Sequence, residues 1–201
     1  MDAPNTASLR QKHGKLVKVI VGFVVLLVLY AATALGINVV DDLQNLYAPV
    51  PPGYYRVLSV ADGDTFEVSM DGVKEDIRLV GVDTPETHHP SKPVQCYGHE
   101  ASDYTKSLIE NAPVRLQSDT KQPNRDKYNR LLRYVYLEDG RELNELLVSE
   151  GYALATDFNT EKKAKLKTLE DEAEKAKKGL WGKCQVSEVN GIEQTNGVSG
   201  H

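Results

Sequence analysis

Three runs, 54–60, 65–70 and 76–82, carry the strand pattern in which successive side chains point to opposite faces. In the third run Ile77, Leu79 and Gly81 share one face, while Arg78, Val80 and Val82 share the other. The turns at 61–63 and at Asp71-Gly72, the latter a strong two-residue hairpin signal, fold the three into a meander. The period then lengthens: Ala101, Tyr104, Leu108 and Ile109 form the apolar stripe of a helix over 100–110. Two further strands follow at 114–117 and 131–137, then a short helix over 143–150 that Gly151 can end. A third helix over 161–178 is closed by Gly179. Five strands and three helices make an α+β domain over 54–184. The polar stretch 185–201 reads as a disordered tail.

Ahead of this domain the pattern is different. Residues 1–18 are polar and carry Arg10, Lys12, Lys15 and Lys18, and an almost unbroken apolar run follows over 19–40. As a helix at ~1.5 Å per residue that run is about 33 Å long, enough for a hydrocarbon core of ~30 Å. The basic flank before it and Asp41-Asp42 after it set the N-terminus in the cytoplasm and the domain outside a single-pass cell-membrane anchor. A signal peptide cleaved after Ala32-Thr33-Ala34, which would leave a secreted protein, is the competing reading. Apolar character persisting through Leu35, Ile37 and Val39-Val40 favours the uncleaved anchor. Pro49, Pro51 and Pro52 make 41–53 a stiff spacer. With 201 residues, 40% of them hydrophobic, the chain has room for one globular domain plus these appendages.

The candidate chemistry sits on turns. Asp62-Gly63-Asp64-Thr65 separates the first two strands, and Asp83-Thr84-Pro85-Glu86 follows the third, where Pro85 ends the ladder. Asp64 and Asp83, leaving separate strands of one small sheet, make a hard oxygen site of the kind Ca2+ prefers. Asp126-Lys127-Tyr128-Asn129-Arg130 brings a second arginine to join Arg78. Paired guanidinium forks match phosphate oxygens and neutralise charge that grows in a phosphodiester transition state. Tyr128 offers a face on which any base can stack. Lys121 and Arg125 read as solvated loop residues, as do the alternating charges of the third helix. His88 and His89 are adjacent on a loop with no third soft ligand near in sequence, which argues against a transition-metal site.

These motifs, D-G-D-T, R-L-V-G-V-D-T-P-E and D-K-Y-N-R, taken in that order and spacing with Y-G-H-E-A at 97–101 and G-L-W at 179–181, resemble the staphylococcal nuclease (thermonuclease) family over 54–184. The resemblance implies a five-stranded OB-type barrel with three helices, and hydrolysis of DNA and RNA to 3′-phosphorylated products. It implies Ca2+ held by Asp64, Asp83 and the Thr84 carbonyl. It further implies that Arg78 and Arg130 hold the phosphate, that Glu86 handles the attacking water, and that Lys127 and Tyr128 lie beside the substrate. All five carboxylate and arginine positions are filled, which favours catalysis over a non-catalytic nucleic-acid-binding OB module. A Ca2+-dependent adhesion domain would leave both arginines idle.

Two departures stand out. Where the best-known member of that family has a tyrosine pair lining the nucleotide pocket, alignment through Gly151 puts Asp157 and Asn159, which puts stacking at that wall in doubt. The net charge of −5 is also unlike the basic surface usual in nucleic-acid binders, and argues against packaging or storage. No protein partner is expected, and a monomer is. Finally, the chain has two cysteines, Cys96 before the first helix and Cys184 after the last, and an even pair in an exported domain favours a disulfide.

Overall fold

The computed structural model describes Tyr30 and Ala31 and residues 49–87, 93–189 and 192–197. The chain divides into a unit over Met1–Ala48 and another over Pro49–His201. Of the first only Tyr30 and Ala31 are described, both helical. Apart from these two, the apolar run over 19–40 and its basic flank lie outside the described residues, as do His88 and His89. Among the described residues, no helix is long and apolar enough to cross a membrane.

In the second unit, β1 (Tyr55–Asp62), β2 (Thr65–Met70) and β3 (Val73–Leu79) form the expected antiparallel meander. The chain then makes a two-residue strand, β4 (Val82–Asp83), and a helix, α1 (Gly98–Ile109). Two more strands, β5 (Pro113–Gln117) and β6 (Leu131–Tyr136), close a five-stranded barrel in the order β1, β2, β3, β6, β5. Closure depends on one parallel pairing, β3 with β6, in which Arg78 lies opposite Leu132. A hairpin cannot make that contact, so the chain crosses over through α1 and β5. Phe66, Val68, Ile77, Leu79, Val114 and Val135 are at most 2% exposed and fill the centre. Truncating one of these, as in Ile77→Ala, costs about 3 kcal/mol through lost burial and the cavity left behind.

Around the barrel lie α2 (Leu143–Ser149), the two-residue strand β7 (Leu154–Ala155), α3 (Lys163–Lys175) and a single-turn helix, α4 (Leu180–Lys183). β7 pairs with β4, so the segment that follows β3 is held at both edges. Buried Asn144 of α2 completes that hold: its amide donates to the Val80 carbonyl at 2.8 Å and its side-chain oxygen accepts the Val135 N–H at 3.1 Å. One helix face departs from the expectation of a solvated, charged α3. Glu170 is only 4% exposed, accepting the Ala155 N–H at 2.6 Å and facing Lys167 Nζ at 2.8 Å. A carboxylate can be buried there because an amide and an ammonium both meet it.

The disordered tail expected from 185 onward is corrected as well. β8 (Val186–Val189) and β9 (Ile192–Thr195) form an antiparallel hairpin. Its base is fixed next to α1: the Cys96 N–H donates to the Asn196 carbonyl at 2.7 Å, and the Thr195 hydroxyl to the Cys96 carbonyl at 2.9 Å. The expected Cys96–Cys184 disulfide is present with its Cα atoms 5.8 Å apart, and joins the entry of α1 to the residue just before the hairpin.

Candidate active site

The two acidic turns meet because Gly63 has no side chain. A Cβ on Gly63 would fall 2.8–2.9 Å from the Thr84 side chain, so only glycine lets the two turns lie this close. The Thr105 hydroxyl of α1 donates to the Gly63 carbonyl at 2.6 Å, and the Leu79 N–H to the Asp64 carbonyl at 3.0 Å, tying the first turn to helix and barrel. Asp64 is 6% exposed and accepts the Thr84 N–H at 2.9 Å and the Thr65 hydroxyl at 3.0 Å. Asp62 accepts the Gly63 N–H at 2.8 Å and the Thr87 hydroxyl at 3.2 Å, so it binds the first turn to the end of the second.

Arg78, expected to point away from Ile77 and Leu79, does so, and enters this acidic cluster. Its guanidinium lies 2.6 Å from Asp64 Oδ2 and 2.6 Å from Asp83 Oδ1, and donates to the Val82 carbonyl at 3.0 Å. Burial works against that charge, but Asp64 and Asp83, with Asp62 behind them, more than offset it and hold Arg78 protonated. The carboxylates are less comfortable. Burial, with the charges of Asp64 and Glu86 added, pushes Asp62 up to about 7 against the Gly63 amide. Burial likewise pushes Asp83 up to about 6, with Arg78 opposing the rise and Asp64 and Glu86 adding to it.

Arg130 comes from the loop just before β6. Asp126 fixes it at three points: Oδ1 accepts the Arg130 N–H at 2.9 Å, and Oδ2 accepts Nε at 2.7 Å and lies 2.7 Å from Nη2. The remaining nitrogen, Nη1, donates to the Thr65 hydroxyl at 3.3 Å, one residue from Asp64. Arg125 is not the solvated residue expected: its fork pairs with both oxygens of Glu75 at 2.8 and 2.9 Å, fastening this loop to β3. Lys127 and Arg130 both lie over the Tyr128 ring, at 4.9 and 5.4 Å from its centre.

Asp64, Arg78, Asp83, Thr84, Glu86 and Arg130 thus line one cleft of 570 Å3, together with Tyr128. A second cavity of 470 Å3 adjoins it, and Arg78, Tyr128 and Arg130 are common to both. Lys127 lines only the second. There Phe158, 68% exposed, stands between Asp157 and Asn159, so the wall carries an aromatic face beside the two positions that lack one. The buried Thr156 hydroxyl, without a hydrogen-bond partner, lies in the same wall.

Several of these residues were missed in the sequence. Asp126 stands at the head of the D-K-Y-N-R motif without a role read for it, and Phe158 was identifiable by its place inside the aligned wall. Gln95 carries no motif signal, yet its side-chain oxygen accepts the Glu86 N–H at 2.7 Å.

Among the described residues no three carboxylates, histidines or cysteines converge on one point. A cation here would therefore rest on Asp64, Asp83, a backbone carbonyl and water, a donor set suited to a hard ion. The residues fit such an ion: Asp62, Asp64, Asp83 and Glu86 line one cleft, and Arg78 and Arg130 are the cations that line it with them.

A closed OB-type barrel thus carries two acidic turns, with Arg78 inside the cluster they form and Arg130, anchored by Asp126, reaching its edge at Thr65. The staphylococcal nuclease homologue model matches residues 76–183. The chain is similar to thermonucleases of Staphylococcus hyicus (44% identical over 130 residues, 63% of this chain and 75% of that protein) and Staphylococcus intermedius (43% over 129 residues, with the same coverage). Endonuclease YncB of Bacillus subtilis is 41% identical over 125 residues, 61% of this chain and 58% of its own length. The chain belongs to the staphylococcal nuclease family, and by class it is a nuclease, a hydrolase.

Proposed function

We propose that the protein is a Ca2+-dependent endonuclease, acting as a monomer, that hydrolyses phosphodiester bonds of DNA and RNA and leaves 3′-phosphorylated ends. The observation that carries this reading is Arg78 closed on both Asp64 and Asp83, with Arg130 at Thr65 beside them. In this reading Asp64, Asp83 and the Thr84 carbonyl hold Ca2+, which when bound supplies positive charge at a phosphate oxygen. Arg78 and Arg130 clamp the phosphate, and their charge stabilises the five-coordinate phosphorus better than it stabilises the ground state. Glu86 orients the attacking water or takes its proton. The water oxygen bonds to phosphorus as the P–O5′ bond breaks, and the departing O5′ takes up a proton. Lys127 adds charge beside the strand, and the exposed rings of Tyr128 and Phe158 stack on its bases.

The domain is placed outside the cell, tethered by 19–40. The basic flank of that run and the Cys96–Cys184 bond, which persists in oxidising compartments, support the placement. The test of the activity is incubation of the full chain with single-stranded DNA in Ca2+ or in EDTA. Cleavage to 3′-phosphate ends in Ca2+ and none in EDTA is expected, and undiminished cleavage in EDTA overturns the metal assignment. The placement is checked by added protease, which should remove the domain from intact cells while 19–40 stays with the membrane.

A further inference from the structure

The β8–β9 hairpin reaches the cleft. Val189, Ile192 and Gln194 line it and none of them lines the Phe158 cavity, whereas Arg78, Tyr128 and Arg130 line both. The register explains which residues face it. Val189 pairs with Ile192 and Ser187 with Gln194, so these four share one face, while Glu188 and its partner Glu193 share the opposite one. Glu193 turns towards α3, where Lys167 Nζ lies 3.3 Å away. The hairpin thus keeps both its carboxylates off the cleft and gives it an uncharged face, polar at Gln194 and apolar at the tip. Val189 and Ile192 are 44% and 62% exposed, a pair of large apolar groups in water beside an otherwise polar site.

We propose that this face is a nucleoside subsite, which takes the unpaired base and sugar of the nucleotide flanking the scissile phosphate on the side opposite the Phe158 cavity. The inference rests on the nuclease reading above and adds a second binding wall to it. Geometry and charge together carry it. The two arginines are shared by two adjoining cavities, so a phosphate held by them has one neighbouring nucleoside in each. A polyanion can pass the hairpin only because the glutamates point elsewhere. A base held in a duplex has its faces stacked on its neighbours, so the apolar tip accepts single-stranded or frayed nucleic acid and not a closed helix.

The test combines binding and cleavage by the full chain in Ca2+, using a fluorescent single-stranded oligonucleotide with one cleavable linkage. Matched oligonucleotides lack the base on one or the other flank of that linkage. Val189→Ser with Ile192→Ser changes only exposed groups, and an unchanged melting temperature reports an intact hairpin. Binding by this variant should weaken about fivefold, as loss of a modest apolar contact does, with KM rising in step and kcat unchanged. Removing the base on one flank, and not on the other, should erase the difference between variant and parent. That outcome upholds the subsite whether or not cleavage is seen, and binding without cleavage by the parent removes the nuclease reading alone. Equal binding by variant and parent overturns the subsite while leaving the nuclease reading intact. Tighter binding by the variant, the sign of a hairpin that shuts the cleft, also overturns it.

Discussion

Gln95 and Glu86 hold each other by two hydrogen bonds: the Gln95 N–H donates to the Glu86 carbonyl at 2.9 Å, and the Gln95 side-chain oxygen accepts the Glu86 N–H at 2.7 Å. The Gln95 amide nitrogen in turn donates to Gln194 of the hairpin at 3.3 Å. Glu86 is therefore held at its backbone by a residue next to the disulfide. On the role proposed for Glu86, Gln95→Ala should lower kcat about tenfold with little change in KM, because the carboxylate assigned to the water loses its fixed position while substrate contacts remain. Steady-state kinetics on a single-linkage oligonucleotide check this; a rise in KM at constant kcat would place Gln95 in substrate binding instead.

Arg130→Ala should slow cleavage about a hundredfold, ~3 kcal/mol of lost transition-state stabilisation, with the fold preserved. Asp126→Asn should cost about tenfold, since the fork keeps its charge and loses its orientation. Arg130→Lys should not restore the rate, because an ammonium cannot make the bidentate grip. Single-turnover rates on the three variants separate these effects.

Reducing the Cys96–Cys184 bond, or replacing both residues with serine, should lower stability by about 4.6 kcal/mol, the chain-entropy value for a loop of this length. The separation of 88 residues makes the closed loop large. Thermal melting with and without reductant measures the loss. Reduction should also weaken the Gln95 to Gln194 contact, so activity at a temperature well below melting should fall further than the folded fraction does.

Stability should also respond to acid through Asp119. Burial alone would raise this carboxyl, but hydrogen bonds from the Tyr134 hydroxyl and from the amides of Glu161 and Lys121 overcome it and hold the group below its ordinary 3.8. A carboxylate depressed in the folded state stabilises fully above its unfolded pKa, and that contribution disappears as pH falls through the folded value. Asp119→Asn should therefore be less stable at pH 7 by about 2 kcal/mol, and its stability should fall less steeply than the parent's below pH 4. Denaturant melts from pH 7 to pH 3 compare the two.

The barrel and the two acidic turns were legible because alternation, the Asp71-Gly72 turn and Pro85 are local signals that the fold keeps. The hairpin was signalled too: Asn190-Gly191 lies between Val186, Val189, Ile192 and Thr195, a strong short-range pattern obscured by the polar composition of the tail. Other features had no local trace. Glu170 is buried because Ala155, distant in sequence, offers an amide, and Gln95 meets Glu86 across 88–92. The double ion pair of Arg78 with Asp64 and Asp83 also had no local trace, because a buried guanidinium takes the counter-charges that the fold brings nearest.

The parallel seam between β3 and β6 also sets how much of the chain must be made before the site is complete. A nascent chain made only as far as β5 already carries Asp64, Arg78, Asp83 and Glu86, but it lacks Arg130 and the strand that draws Arg130 to Thr65. Local hairpins can form early, whereas this seam must first close a long loop. Arg130 thus joins the site late, and a fragment ending at Gln117 should show no nuclease activity.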